Sequence, residues 1–207
     1  MHEILLVLVL VLVPQLHAQE PVPPLQTGSI RFTGNSALDS AALLREMDTR
    51  PGAVFRDATL NADLRRIALA YDAAGYPFAE VSVADVRIRA RGALEGDDGS
   101  PVENGILLVD VFLEIDEGPL FFIDEITVEG NKLTDADVIV RETRIATPAR
   151  YDPETIGDLV RRLERMQIFT RVEEPQLYQR DSVGGLLLRV TEGGANRFDG
   201  VIGYQPP

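Results

Sequence analysis

The 207-residue sequence contains no cysteine and no tryptophan, and its only histidines are His2 and His17. Without cysteine the chain has no disulfide framework, no thiolate metal site and no cysteine nucleophile. Both histidines fall in an N-terminal segment that we expect to be removed, so histidine-dependent catalysis and histidine-containing metal sites are excluded as well. We therefore expect no metal site and no cofactor.

Basic residues are also scarce, with 20 Lys and Arg against 33 Asp and Glu, a net charge of −13 and a pI near 4.6. Such a surface repels phosphate, which argues against a nucleic-acid partner. Carboxylate catalysis is not supported either. Adjacent acids such as Asp124 and Glu125 point to opposite faces of a strand and cannot converge on one substrate. The sequence therefore predicts a protein that is not an enzyme.

The N-terminus carries a short apolar segment of ten residues, Ile4 to Val13, which Pro14 ends. This is about half the length that a membrane-spanning helix needs. Ala18 supplies a small residue for cleavage, so residues 1–18 are predicted to be a secretory signal peptide. The n-region has Glu3 and no Lys or Arg, which leaves an uncleaved anchor as the alternative. Residues 19–27 are predicted to be a proline-rich spacer.

The rest of the chain contains an internal repeat. Residues 29–35 resemble residues 125–131 at an offset of 96 positions, and Phe55 aligns with Tyr151 at the same offset. Both copies close on Leu-x-x-x-Glu-Gly, at 113–118 and 188–193. Agreement in the same order at this many places predicts two copies of one structural unit.

Each copy is predicted to form strand, helix, helix, strand and strand. The closing strands contain continuous apolar runs at 107–109 and 186–188, which are typical of a central, buried strand. The strands before them, predicted over 78–88 and 169–177, then lie at an edge. The predicted class is α+β, with two tandem modules that each have a three-stranded mixed sheet and two helices on one face.

Three motifs within these repeats resemble motifs of POTRA domains. POTRA domains are the periplasmic modules of BamA/TamA-type outer-membrane assembly and secretion proteins. They are Phe-x-Gly-Asn at 32–35, Gly-Tyr-Pro-Phe-Ala-Glu-Val at 75–81 and Glu-Gly-Pro at 117–119. The resemblance implies one POTRA domain at 28–118 and a second at 119–193. The alternating tail at 196–204 resembles the first barrel strand that follows the last POTRA domain. Residues 194–207 are therefore predicted to begin a transmembrane β-barrel that this chain does not complete.

The resemblance implies a location in the periplasm and outer membrane of a Gram-negative-type bacterium. The implied function is to bind unfolded β-barrel clients or accessory assembly proteins by β-strand augmentation and to pass them to the barrel. Two alternatives stay open. One is the periplasmic module of a two-partner secretion transporter, which recognises one dedicated exported protein. The other is a soluble or anchored envelope scaffold.

Two groups of candidate residues follow from the resemblance. The first group comprises client-binding edge backbone in both modules: Phe78, Ala79, Glu80, Val81, Ser82, Val83, Phe169, Thr170, Arg171, Val172 and Glu173. The second group comprises hinges that set the angles between modules: Glu117, Gly118, Pro119, Gly193 and Gly194.

Overall fold

A computed structural model describes residues 25–91 and 106–193 of the chain. The predicted signal peptide, the spacer before Leu25, the polar loop at 92–105 and the predicted barrel strand at 194–207 lie outside the described residues. Among the residues that are described, no helix has the length and apolar character needed to cross a membrane.

Module 1 comprises the described residues up to Gly118 and has a three-stranded sheet in the order β1-β3-β2. The central strand β3 runs parallel to β1 and antiparallel to β2. The elements of module 1 are β1 (Leu25–Thr33), α1 (Ser40–Glu46), α2 (Asp57–Ala73), β2 (Glu80–Arg91) and β3 (Ile106–Asp116).

Module 2 comprises residues 119–193 and repeats the pattern around the central strand β9, which runs parallel to β5 and antiparallel to β7 and β8. Its elements are β4 (Phe122–Ile123), β5 (Glu125–Glu129), α3 (Ala136–Thr143), β6 (Ala149–Arg150), α4 (Pro153–Arg165), β7 (Phe169–Val172), β8 (Gln176–Arg180) and β9 (Val183–Glu192).

Each module has its own apolar core between the helices and one face of the sheet. In module 1, alternate β3 residues such as Val111 and Leu113 meet Leu60, Ile67 and Tyr71 of α2. In module 2, Leu186 and Leu188 of β9 meet Leu159 and Leu163 of α4. The helices lie on one face of each sheet because their apolar stripes can only be buried there.

Two boundaries differ from the predictions. β1 begins at Leu25, inside the predicted spacer, because this stretch pairs both with β3 and with residues 53–55. The strand predicted over 169–177 is divided into β7 and β8 by residues 173–175. Pro175 lies in this gap, and proline cannot donate a hydrogen bond to a sheet.

The repeat extends to details of backbone pairing. In module 1 the Phe55 N–H donates to the Leu25 carbonyl at 2.8 Å, and in module 2 the Tyr151 N–H donates to the Phe121 carbonyl at 3.0 Å. A bridge between Gln26 and Val54 corresponds to the β4–β6 pairing of module 2. These contacts pair a second backbone segment with the outer edge of the first part of β1 in module 1 and with β4 in module 2.

The two modules carry an acid and a glycine at opposite positions: where the opening strand of module 1 has glycine, module 2 has the acid, and the reverse holds on the central strand. In module 1, Asp110 on β3 accepts a hydrogen bond from the Ser29 N–H at 2.5 Å, and a Cβ at Gly28 would collide with this carboxylate. In module 2 the acid is Asp124, beside β5, and it accepts from the Gly184 N–H at 2.8 Å. The carboxylate therefore lies on the central strand of one module and beside the edge strand of the other.

Candidate binding edge

The longest free sheet edge among the described residues belongs to β2. This strand pairs with β3 along its whole length from Glu80 to Arg91, and no described strand pairs with its other side. The opposite edge, β1, is covered over its first residues by the segment at 53–55. An edge strand leaves alternate N–H and C=O groups available to pair with another extended chain.

One face of β2 carries an apolar row that the helices leave partly uncovered. Val83, Val86 and Ile88 lie opposite Leu113, Val111 and Val109 of β3, all three of which are buried in the core. Paired residues on antiparallel strands point to the same face. Yet Val83 is 38% exposed, Val86 44% and Ile88 61%. We call Val83, Val86 and Ile88 the inner row.

The other face of β2 is charged and polar. From the start of the strand to its end, the charge changes from acidic to basic. We call this set the outer row: Glu80, Ser82, Asp85, Arg87, Arg89 and Arg91.

The basic half of the outer row is held in place by contacts across the sheet. The Arg89 Nε donates to Asp110 at 2.5 Å, and the Arg87 guanidinium lies 4.7 Å from the centre of the Phe112 ring. Hydrogen bonds from Arg89 and from Ser29 hold the pKa of Asp110 well below its usual range. Asp110 thus links β1, β3 and β2 through hydrogen bonds to Ser29 and Arg89.

The structure places the predicted residues of this edge in two groups. Glu80 to Val83 lie in β2, whereas Phe78 and Ala79 precede the strand. The Phe78 ring packs edge-to-face on Phe121 at 5.4 Å, and Ala79 packs against the core. The sequence prediction stopped at Val83 and so missed Val86 and Ile88, although the alternation of residues 81–90 was available as a signal.

The corresponding edge of module 2 is short and interrupted. Phe169 is buried in the core of its module, Thr170 and Arg171 are exposed, and Val172 is half-buried. Glu173 lies after β7, and its N–H donates to the Arg189 carbonyl of β9 at 2.9 Å. Short edges with breaks resist the addition of another strand, so β2 offers the better surface.

Glu117 and Glu192, from the repeated Glu-Gly motif, hold equivalent loops. Glu117 Oε1 accepts from the Ser36 and Ala37 N–H groups, both at 2.7 Å, and from the Tyr71 hydroxyl at 2.9 Å. Glu192 accepts from the N–H groups of Lys132, Leu133 and Thr134. Partial desolvation raises the pKa of Glu192, but these hydrogen bonds outweigh it and bring the pKa down to about 2.

The other predicted hinge residues surround the joint and the end of module 2. Gly118 has a φ of +60° and Gly193 donates to the Ile168 carbonyl at 2.9 Å, while Gly194 lies outside the described residues. Pro119 and Leu120 lead directly into the joint. Hinge motion at these positions stays a prediction.

The joint between the modules is held by several contacts. The Tyr151 hydroxyl of module 2 donates to Asp72 of α2 at 2.9 Å, and the Phe121 N–H donates to the Gly75 carbonyl at 3.0 Å. The Arg150 guanidinium donates to the Ala74 carbonyl. Burial raises the pKa of the Tyr151 phenol, and its bond to Asp72 raises it further. The end of α2 is therefore a contact surface for module 2.

Replacing Glu192 with glutamine is expected to remove an acid-sensitive part of the stability of module 2. The pKa of Glu192 is lowered from 4.5 to about 2 in the folded chain. Its charged form therefore stabilises the fold above pH 4.5, and this contribution disappears as the pH falls towards 2. Urea unfolding at pH 7 and pH 3 measures the effect. The difference between wild type and Glu192→Gln should be smaller at pH 3; an equal difference at both pH values would contradict the assignment.

No group of three or more His, Cys, Asp or Glu side chains within residues 25–91 and 106–193 is arranged to hold a metal ion. The candidate site is the free edge of β2 with its two rows of side chains.

Two βααββ units in tandem, each with its last strand in the middle of the sheet, define a class of small α+β repeat modules. The POTRA family model, described as a surface antigen variable number repeat, matches residues 26–118 and again residues 121–193. The chain belongs to the POTRA family. The predicted fold of two tandem POTRA modules is confirmed.

Individual relatives are more distant. The outer membrane protein assembly factor BamA of Neisseria meningitidis serogroup B is 26% identical over 148 residues, which is 70% of this chain and 17% of that protein. The chain thus spans less than a fifth of the length of this curated relative.

One solved structure agrees with the fold. The crystal structure of BamA from Haemophilus ducreyi lacking POTRA domains 1–3 aligns with a TM-score of 0.54 and 18% identity, over 82% of this chain and 29% of that chain. At this identity the likeness concerns the fold alone. CdiB from Escherichia coli aligns with a TM-score of 0.38 and 17% identity, over 87% of this chain and 29% of that chain; nothing about function follows from it.

Proposed function

We propose that the chain is a non-enzymatic periplasmic module of an outer-membrane assembly protein, and that β2 receives extended segments of unfolded outer-membrane proteins. The observation that carries the proposal is the free, twelve-residue edge of β2 with its partly exposed inner row. The relationship to a factor described as assembling outer-membrane proteins supports the same function.

The two rows of β2 fit the chemistry of such clients. Strands of outer-membrane barrels alternate apolar and polar residues. A client strand added to β2 would lay its apolar residues beside Val83, Val86 and Ile88 and its polar residues beside the charged outer row. Backbone hydrogen bonds carry the attachment, which makes it tolerant of sequence. Many different clients can then use one edge.

Module 2 plays a different part in this proposal. Its edge at 169–173 is divided and short, so we assign client binding to module 1. The contacts of Tyr151 and Arg150 with the end of α2 orient the β2 edge relative to module 2. The residues from Glu117 to Pro119 then adjust that orientation.

Replacing Ile88 with lysine is expected to weaken client binding about tenfold. Lysine on an edge strand opposes the addition of another strand, and here it also removes an apolar contact. The measurement is the fluorescence anisotropy of a labelled ten-residue peptide with alternating Val and Thr residues, titrated with the purified full chain. Leu69→Lys is the matched control, because Leu69 is 65% exposed on α2 and Ile88 is 61% exposed.

The control should bind the peptide as tightly as the wild type, since Leu69 lies away from the edge. Equal binding by Ile88→Lys and wild type would show that the peptide does not use β2. Equal weakening by both variants would point to an unspecific effect of added charge and would also contradict the proposal.

A further inference from the structure

We infer that two copies of this chain pair through β2, with the strands antiparallel and a two-fold axis at Val86. The inference goes beyond the proposed function, because it assigns a second occupant, a copy of the chain itself, to the same edge. It is carried by the order of charges in the outer row and by the order of apolar residues in the inner row.

The charges of the outer row are complementary to those of a second copy of the row that runs in the opposite direction. Its order is acidic, neutral, acidic, basic, basic, basic, from Glu80 to Arg91. Around a two-fold axis at Val86, Asp85 of each copy lies beside Arg87 of the other copy. At the ends of the strands, Glu80 lies beside Arg91. Opposite charges on directly opposed residues stabilise antiparallel pairs.

The inner row is also self-complementary in this register. Val86 meets Val86 of the second copy, and Val83 meets Ile88 on either side of the axis. These three residues are all exposed in the single chain. Pairing buries them against one another and removes the exposed apolar surface of this edge.

The irregularity within β2 fits the same register. The pairing of β2 with β3 shifts between Val83 and Asp85, so Ala84 is an extra residue in the strand. If Ala84 bulges out of the pairing in both copies, each outer-row residue of one copy lies opposite an outer-row residue of the other copy, all the way from Glu80 to Arg91. If Ala84 instead took a regular, paired place in the strand, the charged pairs at the ends would fall out of register.

The paired state would occupy the edge that clients use under the proposed function. A dimer would therefore shield β2 when no client is present, and a client would have to displace the second copy. An interface of one strand pair is small and belongs with the weak, reversible ones. Dimerisation itself does not depend on client binding and can be tested without it.

The test is sedimentation equilibrium of the purified full chain from about 1 µM to about 1 mM, a range that covers weak association. The wild type is expected to dimerise reversibly. Arg87→Glu places an acid beside Asp85 of the other copy at two symmetric positions, and Asp85→Arg places two basic residues together in the same way. Each single variant should dimerise at least about tenfold more weakly.

An equimolar mixture of the two single variants gives the decisive result. In the mixed pair, the arginine introduced at position 85 of one copy meets the glutamate introduced at position 87 of the other. The unchanged Asp85 and Arg87 meet on the other side of the axis, so opposite charges face each other again at both positions. The mixture is expected to associate about as tightly as the wild type. Loss of the Asp85–Arg87 ion pair within one chain, which measures 2.7 Å, or a folding defect cannot produce this recovery.

The inference is overturned if the wild type stays monomeric at about 1 mM, if Arg87→Glu dimerises as well as the wild type, or if the mixture fails to recover. Binding of the uncharged Val/Thr peptide is measured separately from dimerisation, so a failure of this inference can be distinguished from a failure of the proposed function. A wild type that binds the peptide but stays monomeric overturns this inference alone, whereas a wild type that dimerises but does not bind the peptide contradicts only the proposed function.

Discussion

Replacing Gly34 with alanine is expected to destabilise module 1 by about 2–4 kcal/mol. Gly34 has a φ of +82°, a conformation that disfavours side chains, and a Cβ there would collide with the Ile115 carbonyl. The backbone strain costs about 1–2 kcal/mol. The collision adds to it, because the Ile115 carbonyl belongs to the central strand β3 and cannot move freely. Urea unfolding of the two proteins measures the change.

Gly52→Ala is the matched control for this prediction. Gly52 has a φ of +83°, but a Cβ there would meet nothing within 4 Å. It therefore reports the backbone strain alone, about 1–2 kcal/mol. If Gly34→Ala costs no more than Gly52→Ala, the close approach to Ile115 contributes nothing to the destabilisation.

Gly130 lies in the same way against the Val190 carbonyl, with a φ of +86°, so Gly130→Ala should destabilise module 2 by a similar amount.

Replacing Asp63 with alanine is expected to destabilise module 1 by about 2–4 kcal/mol. The Asp63 side chain is completely buried and accepts hydrogen bonds from the Asp48 N–H at 2.8 Å and the Thr49 N–H at 2.9 Å. It also pairs with Arg66. Alanine leaves these donors without an acceptor, and unsatisfied buried groups are costly. Asp48→Ala also removes a partner of Arg66, but Asp48 is exposed, so it should cost less than about 1 kcal/mol.

The effect of Asp63→Ala should depend on pH. Burial raises the pKa of Asp63, but the hydrogen bonds from Asp48, Thr49 and Arg66 together lower it below 3.8. The charged carboxylate therefore stabilises the fold above about pH 4, and this contribution is lost as the pH falls through the folded pKa. Urea unfolding of both proteins at pH 7 and pH 3 should show a smaller difference at pH 3. A difference that is unchanged between these pH values would mean that Asp63 is not held as a carboxylate.

The order of elements could be predicted because it depends on local patterns and on the repeat. An Asp-Pro pair is a typical helix start, and Asp152 before Pro153 accepts from the Glu154 and Thr155 N–H groups. Continuous apolar residues identified β3 and β9 as central strands. These signals lie within one element, so they need no knowledge of tertiary contacts.

The burial of Asp63 could not be predicted in this way. It shares a face of α2 with Leu60 and Ile67, but a carboxylate on an apolar stripe is expected to avoid the core. Its partners at 48 and 49 lie in a different segment, which only the folded chain brings near. The equivalent position in module 2 is Leu159, which is buried and apolar. The repeat therefore gave no indication of a polar cluster.

The exposed inner row of β2 depends on tertiary structure as well. Alternation alone is what a strand with one face on its own core would show, and Val81 does pack there. Val83 and Val86 point to the same face, but the helices do not extend far enough to cover them. Whether an apolar row is a core or a binding surface thus depends on where the neighbouring helix lies. A strand pattern alone contains no such information.

The exchanged positions of acid and glycine have a consequence for how a tandem repeat folds. Two similar modules in one chain can trade strands and form hybrid sheets. If β1 paired with β9, Gly28 would face Gly185 and no carboxylate would accept the Ser29 N–H. If β5 paired with β3, Asp124 would lie against Asp110, and two acids would repel at close range. Each opening strand therefore fits only the central strand of its own module, which directs the chain away from misassembly between its repeats.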